Sequence, residues 1–174
     1  AVMGLADEFT AEMARTVTDM ENAEDILSSM TEKNAFVSYF ADRGIFRFHH
    51  MMKECAEQLF SSFEKEKQTL YLNRYGAWYE DKGLYIHALS SYKESGNFHA
   101  MLQVIQKDAG ILLASLKPEN VEELLVECPE EILKEHPFAI LVLMRSMFNW
   151  KKIPQMMKLK EILLQSDRKS TRLN

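Results

Sequence analysis

The sequence contains few residues of the kinds that break helices or form covalent and metal cross-links. It has six glycines, four prolines and two cysteines in 174 residues. So little glycine and proline argues against a loop-rich β-sandwich, a collagen-like chain or a disordered chain. Cys55 and Cys128 stand far apart without a CxxC or similar metal-ligand spacing, so we expect two reduced thiols. Because Leu, Met, Glu, Lys and Ala recur throughout, the composition favours a mainly helical fold.

Long apolar runs and an excess of positive charge are also absent. No apolar run approaches the roughly 20 residues that span a bilayer. The first ten residues include Asp7 and Glu8 and contain no basic segment, so they do not resemble a secretory signal. The formal net charge of -5 gives no general attraction to nucleic acid or to anionic membranes. We therefore expect a cytoplasmic protein that makes no direct contact with nucleic acid or with a membrane.

Both ends of the sequence suggest a piece of a longer protein. The chain opens with Ala1 rather than methionine. Residues 167–174 change abruptly from an apolar helical pattern to a basic, polar string that resembles translated adapter sequence. We expect residues 167–174 to be a non-native tail and leave them out of the fold prediction.

The first part of the chain mixes helical and strand patterns. Apolar spacing predicts helices over 10–19 and 22–33, with Thr10 and Asn22 as N-caps and Asn34 as a left-handed terminator. The buried stripe of the second helix is predicted to comprise three residues: Ile26, Leu27 and Met30.

Two aromatic and β-branched segments follow, at 35–40 and 45–48. The polar turn 41–44, which ends in glycine, separates them, and this is the pattern of a β-hairpin. A helix over 50–64 is then predicted, with the apolar side Met51, Met52, Cys55, Leu59, Phe60 and Phe63. Two helices, a hairpin and a further helix predict a small winged-helix-like domain over residues 1–65.

Residues 66–166 show only helical patterns. We predict helices over 68–82, 84–95, 97–116, 119–127, 130–135, 138–150 and 154–166. Gly83 and Gly96 are expected to end the first two, and prolines mark the starts of the last four. Large, small and aromatic residues follow the tetratricopeptide spacing at Leu72, Tyr75, Gly76, Tyr79, Ala88 and Tyr92. One such unit cannot bury its own apolar face, so the pattern predicts antiparallel helical hairpins stacked in an α-solenoid.

Three segments, in order, resemble the MalT-like regulators of the bacterial LuxR family. Residues 26–37, ILSSMTEKNAFV, resemble the L-x-x-L-x-x-x-N-x-F element that precedes their wing. Residues 46–52, FRFHHMM, resemble the Y-R-Y-H-x-L-F signature at the end of the wing. Residues 78–98, WYEDKGLYIHALSSYKESGNF, resemble the W-x-x-x-G-x-x-x-x-A-I-x-H-x-x-x-A-G-D-F opening of their helical arm.

This resemblance implies a transcriptional regulator with an ATPase domain before the winged helix and a DNA-binding helix-turn-helix after the arm. The arm would sense a small-molecule inducer or a regulatory protein. The sequence contains no GxxxxGK[ST] loop, so we expect no cofactor in this fragment and ATP or ADP only in the full-length protein. The expected partners are therefore the ATPase and DNA-binding domains and the inducer or regulator.

His49 is the residue to which the resemblance gives a role. In the wider class of signal-transduction ATPases, the histidine of a winged-helix Met-His-Asp triplet senses the β-phosphate of bound ADP. Phe48, His49 and His50 stand at that triplet, although His50 replaces the acidic residue and Phe48 the methionine. An imidazole can donate a hydrogen bond to a phosphate oxygen. The alternative is that both histidines cap and pack the start of the helix over 50–64.

No other pattern predicts chemistry. Adjacent histidines point apart and no third ligand follows at helical spacing, so we expect no metal site. His87, His99 and His136 are isolated in the sequence and receive no role. No nucleophile is paired with a base by motif, so we expect no enzyme and no catalytic residue. Aromatic residues of the arm are mostly core residues by spacing, but four are candidates for a ligand or partner contact on its concave face: Tyr75, Tyr79, Tyr92 and Trp150.

Two further readings of the function remain open. Residues 1–65 contain six basic and twelve acidic residues, so this domain repels phosphate and is expected to act as a mechanical or regulatory module. Only Arg43 and Arg47 on the hairpin are placed to touch a nucleic-acid backbone. One alternative is a tetratricopeptide-type interaction scaffold with no link to nucleotides. The other is a nuclease or different effector attached to the same ATPase core.

Overall fold

A computed structural model describes residues 1–33 and 36–170, with side chains to Ser166. Asn34, the predicted terminator of the second helix, lies outside the described residues. The described chain is mainly helical, with one small antiparallel sheet. It divides into two compact units, Ala1–Trp78 and a second that begins at Tyr79. The boundary at residue 65 that the sequence suggests stays a prediction.

The first unit contains a three-stranded sheet and short helices. A 3-10 turn, Val2–Leu5, precedes them. The elements, in chain order, are β1 Phe9–Thr10, α1 Ala11–Thr18, α2 Ala23–Glu32, β2 Val37–Phe40, β3 Ile45–Phe48, α3 His50–Ser61 and α4 Lys65–Asp81. Helix α4 belongs to this unit as far as Trp78. The predicted hairpin is confirmed, with β2 and β3 antiparallel and Gly44 in the left-handed region at φ 64°.

Local caps set the first helix. The Thr10 side chain accepts a hydrogen bond from the Met13 backbone N–H at 3.1 Å, as the N-cap prediction requires. Asp19 ends α1 in the left-handed conformation, and its N–H donates to the Arg15 carbonyl. Asn22 does stand at the N-cap of α2, but its side chain makes no capping hydrogen bond.

The sheet has the order β1-β3-β2, so the strand that the sequence pattern missed lies beside the hairpin. β1 pairs with β3 through Phe9 opposite Phe46, and β2 pairs with β3 through Val37 opposite Phe48. A two-residue strand is too short to show the alternation by which strands are recognised. Phe9 is buried, and its ring packs against those of Phe46 and Phe48 at centroid distances of 6.1 and 5.2 Å.

The buried face of α3 differs from the prediction. Phe60 is buried as predicted, and Ala56 is buried beside it, whereas Met51 and Leu59 are 68% and 54% exposed. Cys55 is exposed as well. The 3-10 turn at the N-terminus packs on α3, and its Gly4 lies so close to Ala56 that an added Cβ would overlap. The turn therefore selects the face of α3 that is buried.

The predicted buried face of α2 is also partly wrong. Leu27 is buried as predicted, but Ile26 is 38% exposed and Met30 is only partly buried. Ala23 supplies the second buried position, four residues before Leu27. The buried stripe of α2 is therefore narrower than the one predicted.

The second unit is built from helices that follow one another with short connections. They are the end of α4, then α5 Tyr85–Ser95, α6 Phe98–Lys107, a 3-10 turn Ile111–Ser115, α7 Pro118–Glu127, α8 Glu130–Lys134, α9 Pro137–Asn149 and α10 Ile153–Ser170. Helix α5 packs on α6, and α9 packs on both α6 and α10. Leu102, Val104, Ile140 and Met147 are fully buried in this core.

The predicted helix over 97–116 is wrong in its second half. Helix α6 ends at Lys107, and Ala109 and Gly110 take positive φ values of 48° and 78°. The Asp108 carboxylate then accepts a hydrogen bond from the Leu112 backbone N–H and starts the 3-10 turn. Left-handed residues cannot continue an α-helix. The apolar spacing continues through this break, which is why it conceals the end of α6.

None of the helices within the described residues is both long and apolar enough to span a membrane.

Candidate functional site

His49 lies at the junction between the wing and α3. Strand β3 ends at Phe48, and α3 begins at His50. The His49 backbone is extended (φ -61°, ψ 152°), and its N–H donates to the Phe36 carbonyl at 2.9 Å. This bond ties the end of β3 to the start of β2, so the position of His49 is set by the hairpin.

The imidazole of His49 is exposed and has two neighbours. Its Nε2 lies 3.1 Å from Ser38 Oγ, and its ring meets the Phe36 ring edge-on at 6.3 Å. His49 makes no side-chain capping bond to α3. His50 is 84% exposed, with its Nδ1 3.6 Å from Glu54 Oε1 one turn along the helix. The capping alternative therefore does not describe the His49 side chain, which is oriented by Ser38 and Phe36 instead.

The basic residues of the wing are paired with acids. Arg43 and Arg47 both form ion pairs with Glu8, and both guanidinium groups stack on the Phe40 ring at 5.2 and 5.0 Å. Glu8 directly precedes β1, the strand missed by the sequence pattern. An arginine whose charge is balanced by a neighbouring carboxylate attracts a phosphate less strongly than an unpaired arginine does. The wing thus presents no free arginine pair.

The first unit matches one known family. Residues 2–68 match the family model of the MalT winged helix domain. No curated protein and no solved structure gave a match. The matched region covers the sheet, α1 to α3 and the start of α4, with His49 inside it, and the MalT-like winged helix is therefore confirmed. The resembling segment at 78–98 lies outside the match, so the LuxR-family assignment and the helical arm of this family stay predictions.

Two of the four aromatic candidates are buried. Tyr75 belongs to the first unit, next to the MalT-type winged helix, and its hydroxyl donates to the Val2 carbonyl at 2.9 Å. Tyr92 lies in the core of the second unit, and its hydroxyl donates to Glu80 Oε2 at 2.9 Å. Burial raises the pKa of the Tyr92 phenol, and the hydrogen bond to Glu80 raises it further. This burial corrects the prediction that their side chains line an open face.

The other two candidates are partly exposed. The Tyr79 ring lies 5.1 Å from the His87 ring. Trp150 lines a cavity of about 270 Å³ with Gly110, Val142 and Arg145. No described contact joins Tyr79 to Trp150, so each remains a separate prediction.

A histidine pair that the sequence did not reveal joins α6 to the start of α9. His99 Nδ1 lies 3.1 Å from His136 Nε2, and His136 Nδ1 lies 2.9 Å from Gln106 Nε2. Burial lowers the pKa of His136, and the charge of the neighbouring His99 lowers it further. His99 and His136 are isolated in the sequence but paired in the structure, and no local spacing could reveal a pair 37 positions apart. No three His, Cys, Asp or Glu side chains in the described part of the chain are arranged to hold a metal.

The two cysteines differ in environment, and this difference can be measured. Burial raises the pKa of the Cys128 thiol to about 11 from an ordinary value of 9.0. Since two pKa units mean about a hundredfold less thiolate, we expect iodoacetamide at pH 8 to modify Cys128 about a hundredfold more slowly in the folded protein than in urea. The exposed Cys55 is the internal control, and mass spectrometry of quenched samples gives both rates. Equal folded and unfolded rates at Cys128 would contradict its burial.

The same shift links stability to pH. The unfolded thiol ionises from about pH 9, and the folded thiol only near pH 11. The protonated, buried Cys128 thiol therefore contributes fully to the free energy of unfolding below pH 9. This contribution is lost as the pH rises toward 11, because the unfolded chain then gains stability by ionising the thiol. A Cys128→Ser variant should lack that part of the pH dependence.

Proposed function

We propose that this chain is the coupling middle of a MalT-like, ATP-dependent transcriptional regulator. The match of residues 2–68 to the MalT winged helix domain supports it most directly. In this proposal the winged helix receives the nucleotide state of an ATPase domain and transmits it to the helical arm that follows. The arm senses a small-molecule inducer or a regulatory protein. The chain performs no catalysis, and its partners include the ATPase domain and a DNA-binding domain of the same protein.

His49 is the proposed contact to the nucleotide. It lies within the matched region, is exposed, and is oriented by Ser38 and by the hairpin backbone. An exposed and oriented imidazole is suited to donating a hydrogen bond to the β-phosphate of ADP. The His50 ring, by contrast, lies beside Glu54, with Nδ1 3.6 Å from Glu54 Oε1 one turn along α3.

The charges of the winged helix support a regulatory rather than a DNA-reading role. Residues 1–65 contain twice as many acidic as basic residues. Arg43 and Arg47 are paired with Glu8, and Lys53 is paired with Asp7 and Glu57. The Asp7 bond raises the pKa of Lys53, so this ammonium stays charged and paired at neutral pH. A surface of this kind repels the phosphates of DNA.

The His49→Ala variant of the full-length protein is expected to bind ADP about 10- to 100-fold more weakly. A hydrogen bond to a charged group contributes about 1.5–3 kcal/mol, and each 1.4 kcal/mol is tenfold in affinity. Isothermal titration calorimetry with ADP and ATP measures this change. We further propose that bound ADP keeps the regulator in its resting state, so basal transcription of a reporter should rise in this variant as well.

His50→Ala is the matched control for this experiment. It removes the neighbouring imidazole, which is 84% exposed, and leaves the Ser38 contact of His49 in place. Its ADP affinity should stay within about twofold of the wild type. If His49→Ala also left ADP affinity unchanged, His49 would have no sensor role. If the wild-type protein bound no nucleotide, the regulator proposal itself would fail.

An interaction scaffold is the second candidate, and one observation favours it. Helix α9 presents three large apolar side chains on one face, namely Phe138, Leu141 and Phe148, each about half exposed. Their spacing of three and then seven residues places them on a single helical stripe. Exposed apolar stripes of this kind mark contact surfaces for other proteins. If the full-length protein bound no nucleotide, the interaction-scaffold hypothesis would replace the regulator proposal.

A further inference from the structure

The cavity that Trp150 lines has a volume of about 270 Å³ and lies between the 3-10 turn Ile111–Ser115 and α9. Its lining has an apolar part and a polar part. The apolar residues are Ala109, Gly110, Ile111, Ala114 and Val142, and the polar or amphipathic ones are Arg145, Ser146, Asn149 and Trp150. The last four recur at helical spacing, so the end of α9 brings them to one face. A small concave site with an apolar lining and a few polar groups is the usual form of a ligand site.

Two hydrogen-bond donors in this lining are not used by the protein. Arg145 is exposed and forms no ion pair with any other residue that the structure describes. The Trp150 indole N–H likewise donates to none of the described residues. Ser146 differs, because its hydroxyl already donates to the Val142 carbonyl at 3.2 Å. A guanidinium has five N–H donors and no acceptor, so a free Arg145 is complementary to an anion.

The charge at this cavity is positive. Among the described residues, Arg145 is the only charged one in the lining. The sequence from 136 to 160 contains no acidic residue and five basic ones, namely Arg145, Lys151, Lys152, Lys158 and Lys160. Of these, Lys152 is balanced by Glu122. Asp108, the acid next to the 3-10 turn, accepts a hydrogen bond from the Leu112 N–H and lines a different cavity. The local field therefore attracts a negatively charged ligand.

We propose that this cavity binds a small aliphatic carboxylate, with its carboxylate on the Arg145 guanidinium and its alkyl chain against Ile111 and Val142. The planar guanidinium matches a carboxylate because it can donate two parallel hydrogen bonds to it. The Trp150 indole N–H is a further donor in the same lining. The positive charge excludes an amine, and an anion without an alkyl chain would leave the apolar residues uncovered.

This inference deepens the proposed sensing role of the arm and rests on it only for its biological meaning. The binding itself requires no nucleotide and no other domain. It is therefore tested on the 174-residue chain, while the nucleotide proposal is tested on the full-length protein, and each can fail without the other.

Three probes separate the charge of the ligand from its alkyl chain: hexanoate, hexanamide and acetate. Hexanamide has the shape of hexanoate without the charge, and acetate has the charge without the chain. Calorimetry at pH 7 should show saturable binding of one hexanoate per chain, with an affinity about tenfold or more above that of either control probe. No saturable binding of hexanoate, or an affinity equal to that of either control probe, would overturn the proposal.

A pair of charge variants tests the role of Arg145. Arg145→Gln should weaken hexanoate about tenfold and change hexanamide less than about threefold, because only the charge-assisted hydrogen bonds are lost. Lys160→Gln is the matched control, since it removes the same charge at an exposed position on α10 outside this cavity. In about 0.15 M salt it should change hexanoate affinity less than about threefold, because exposed charges at a distance are screened. Equal losses in the two variants would contradict a specific site.

A pair of bulky variants tests the location. Ala114→Trp should block hexanoate, because Ala114 lines the cavity and is exposed, so the larger ring needs no space in the core. Ser115→Trp is the control, at an exposed position on the same turn but outside this cavity. Binding that survives Ala114→Trp would contradict the location.

Trp150 reports occupancy by a second measurement. The chain has two tryptophans, so Trp150 is the only one in a Trp78→Phe background. Hexanoate should shift its fluorescence with the concentration dependence that calorimetry gives, and hexanamide at the same concentrations should not. Emission that is unaffected by saturating hexanoate would show that hexanoate binds elsewhere, and circular dichroism melts confirm that each variant is folded.

Discussion

Phe9→Ala is expected to lower the free energy of unfolding of the first unit by about 3–5 kcal/mol, the usual cost of truncating a buried phenylalanine. The Phe9 side chain is 2% exposed. It packs against Phe46 and Phe48 of the neighbouring strand and is one of the two residues of β1. Its loss would leave a cavity and also weaken the strand that joins the N-terminal segment to the wing.

Urea denaturation followed by circular dichroism measures this loss. Met51→Ala is the control, because Met51 is 68% exposed on α3 and exposed substitutions change stability by about 0.5 kcal/mol or less. The two variants test opposite assignments, since the sequence pattern places Met51 in the core and does not detect β1. Equal effects of both substitutions would contradict the three-stranded sheet.

Gly110→Ala is expected to destabilise the second unit by about 2–5 kcal/mol, from two sources. Gly110 has φ 78°, where a side chain costs about 1–2 kcal/mol. The added Cβ would also overlap Cγ1 of Val142 on α9, and overpacking of this kind costs about 1–3 kcal/mol. Thermal or urea unfolding of the variant gives the sum.

Two further variants separate the sources. Gly96→Ala carries the same backbone cost at φ 74°, but nothing lies within 4 Å of its added Cβ, so its loss should be about 1–2 kcal/mol. Combining Gly110→Ala with Val142→Ala removes the overlap. The double variant should therefore be more stable than the sum of the two single losses predicts. Simple additivity would show that Gly110 does not meet Val142.

The winged helix illustrates what local patterns convey. Thr10 caps α1, the turn that ends in Gly44 joins β2 to β3, and α3 begins directly after His49, all as predicted. Each of these features depends on residues within a few positions of one another, where hydrogen bonds and φ preferences are local. The resemblance at residues 46–52 identified this winged helix as MalT-like, and the match of residues 2–68 confirms that identification.

The choice of buried face required the whole unit. The predicted apolar side of α3 includes Phe60, which is buried, but also Met51, Cys55 and Leu59, which are exposed. The contact of α3 with the turn Val2–Leu5 decides which of these positions are covered. An apolar stripe shows that a helix has a buried face, but the neighbouring element determines which residues it covers.

The candidate sites divide in the same way. The position of His49 was predictable because a motif carries it, whereas its contacts with Ser38 and Phe36 come from the pairing of β2 with β3. The pair His99–His136 had no motif at all, because its two members stand 37 positions apart in the sequence.

By itself, the sequence determined the mainly helical composition, the Thr10 cap of α1, the hairpin and the order of nearly all helices. These are set by interactions between residues a few positions apart, which a sequence displays directly. Only the tertiary structure decided the strand β1, the break at Gly110 and the burial of Tyr75 and Tyr92. These depend on residues distant in the chain, such as Glu8 with Arg47, 39 positions apart, and packing between them is not encoded in any local spacing.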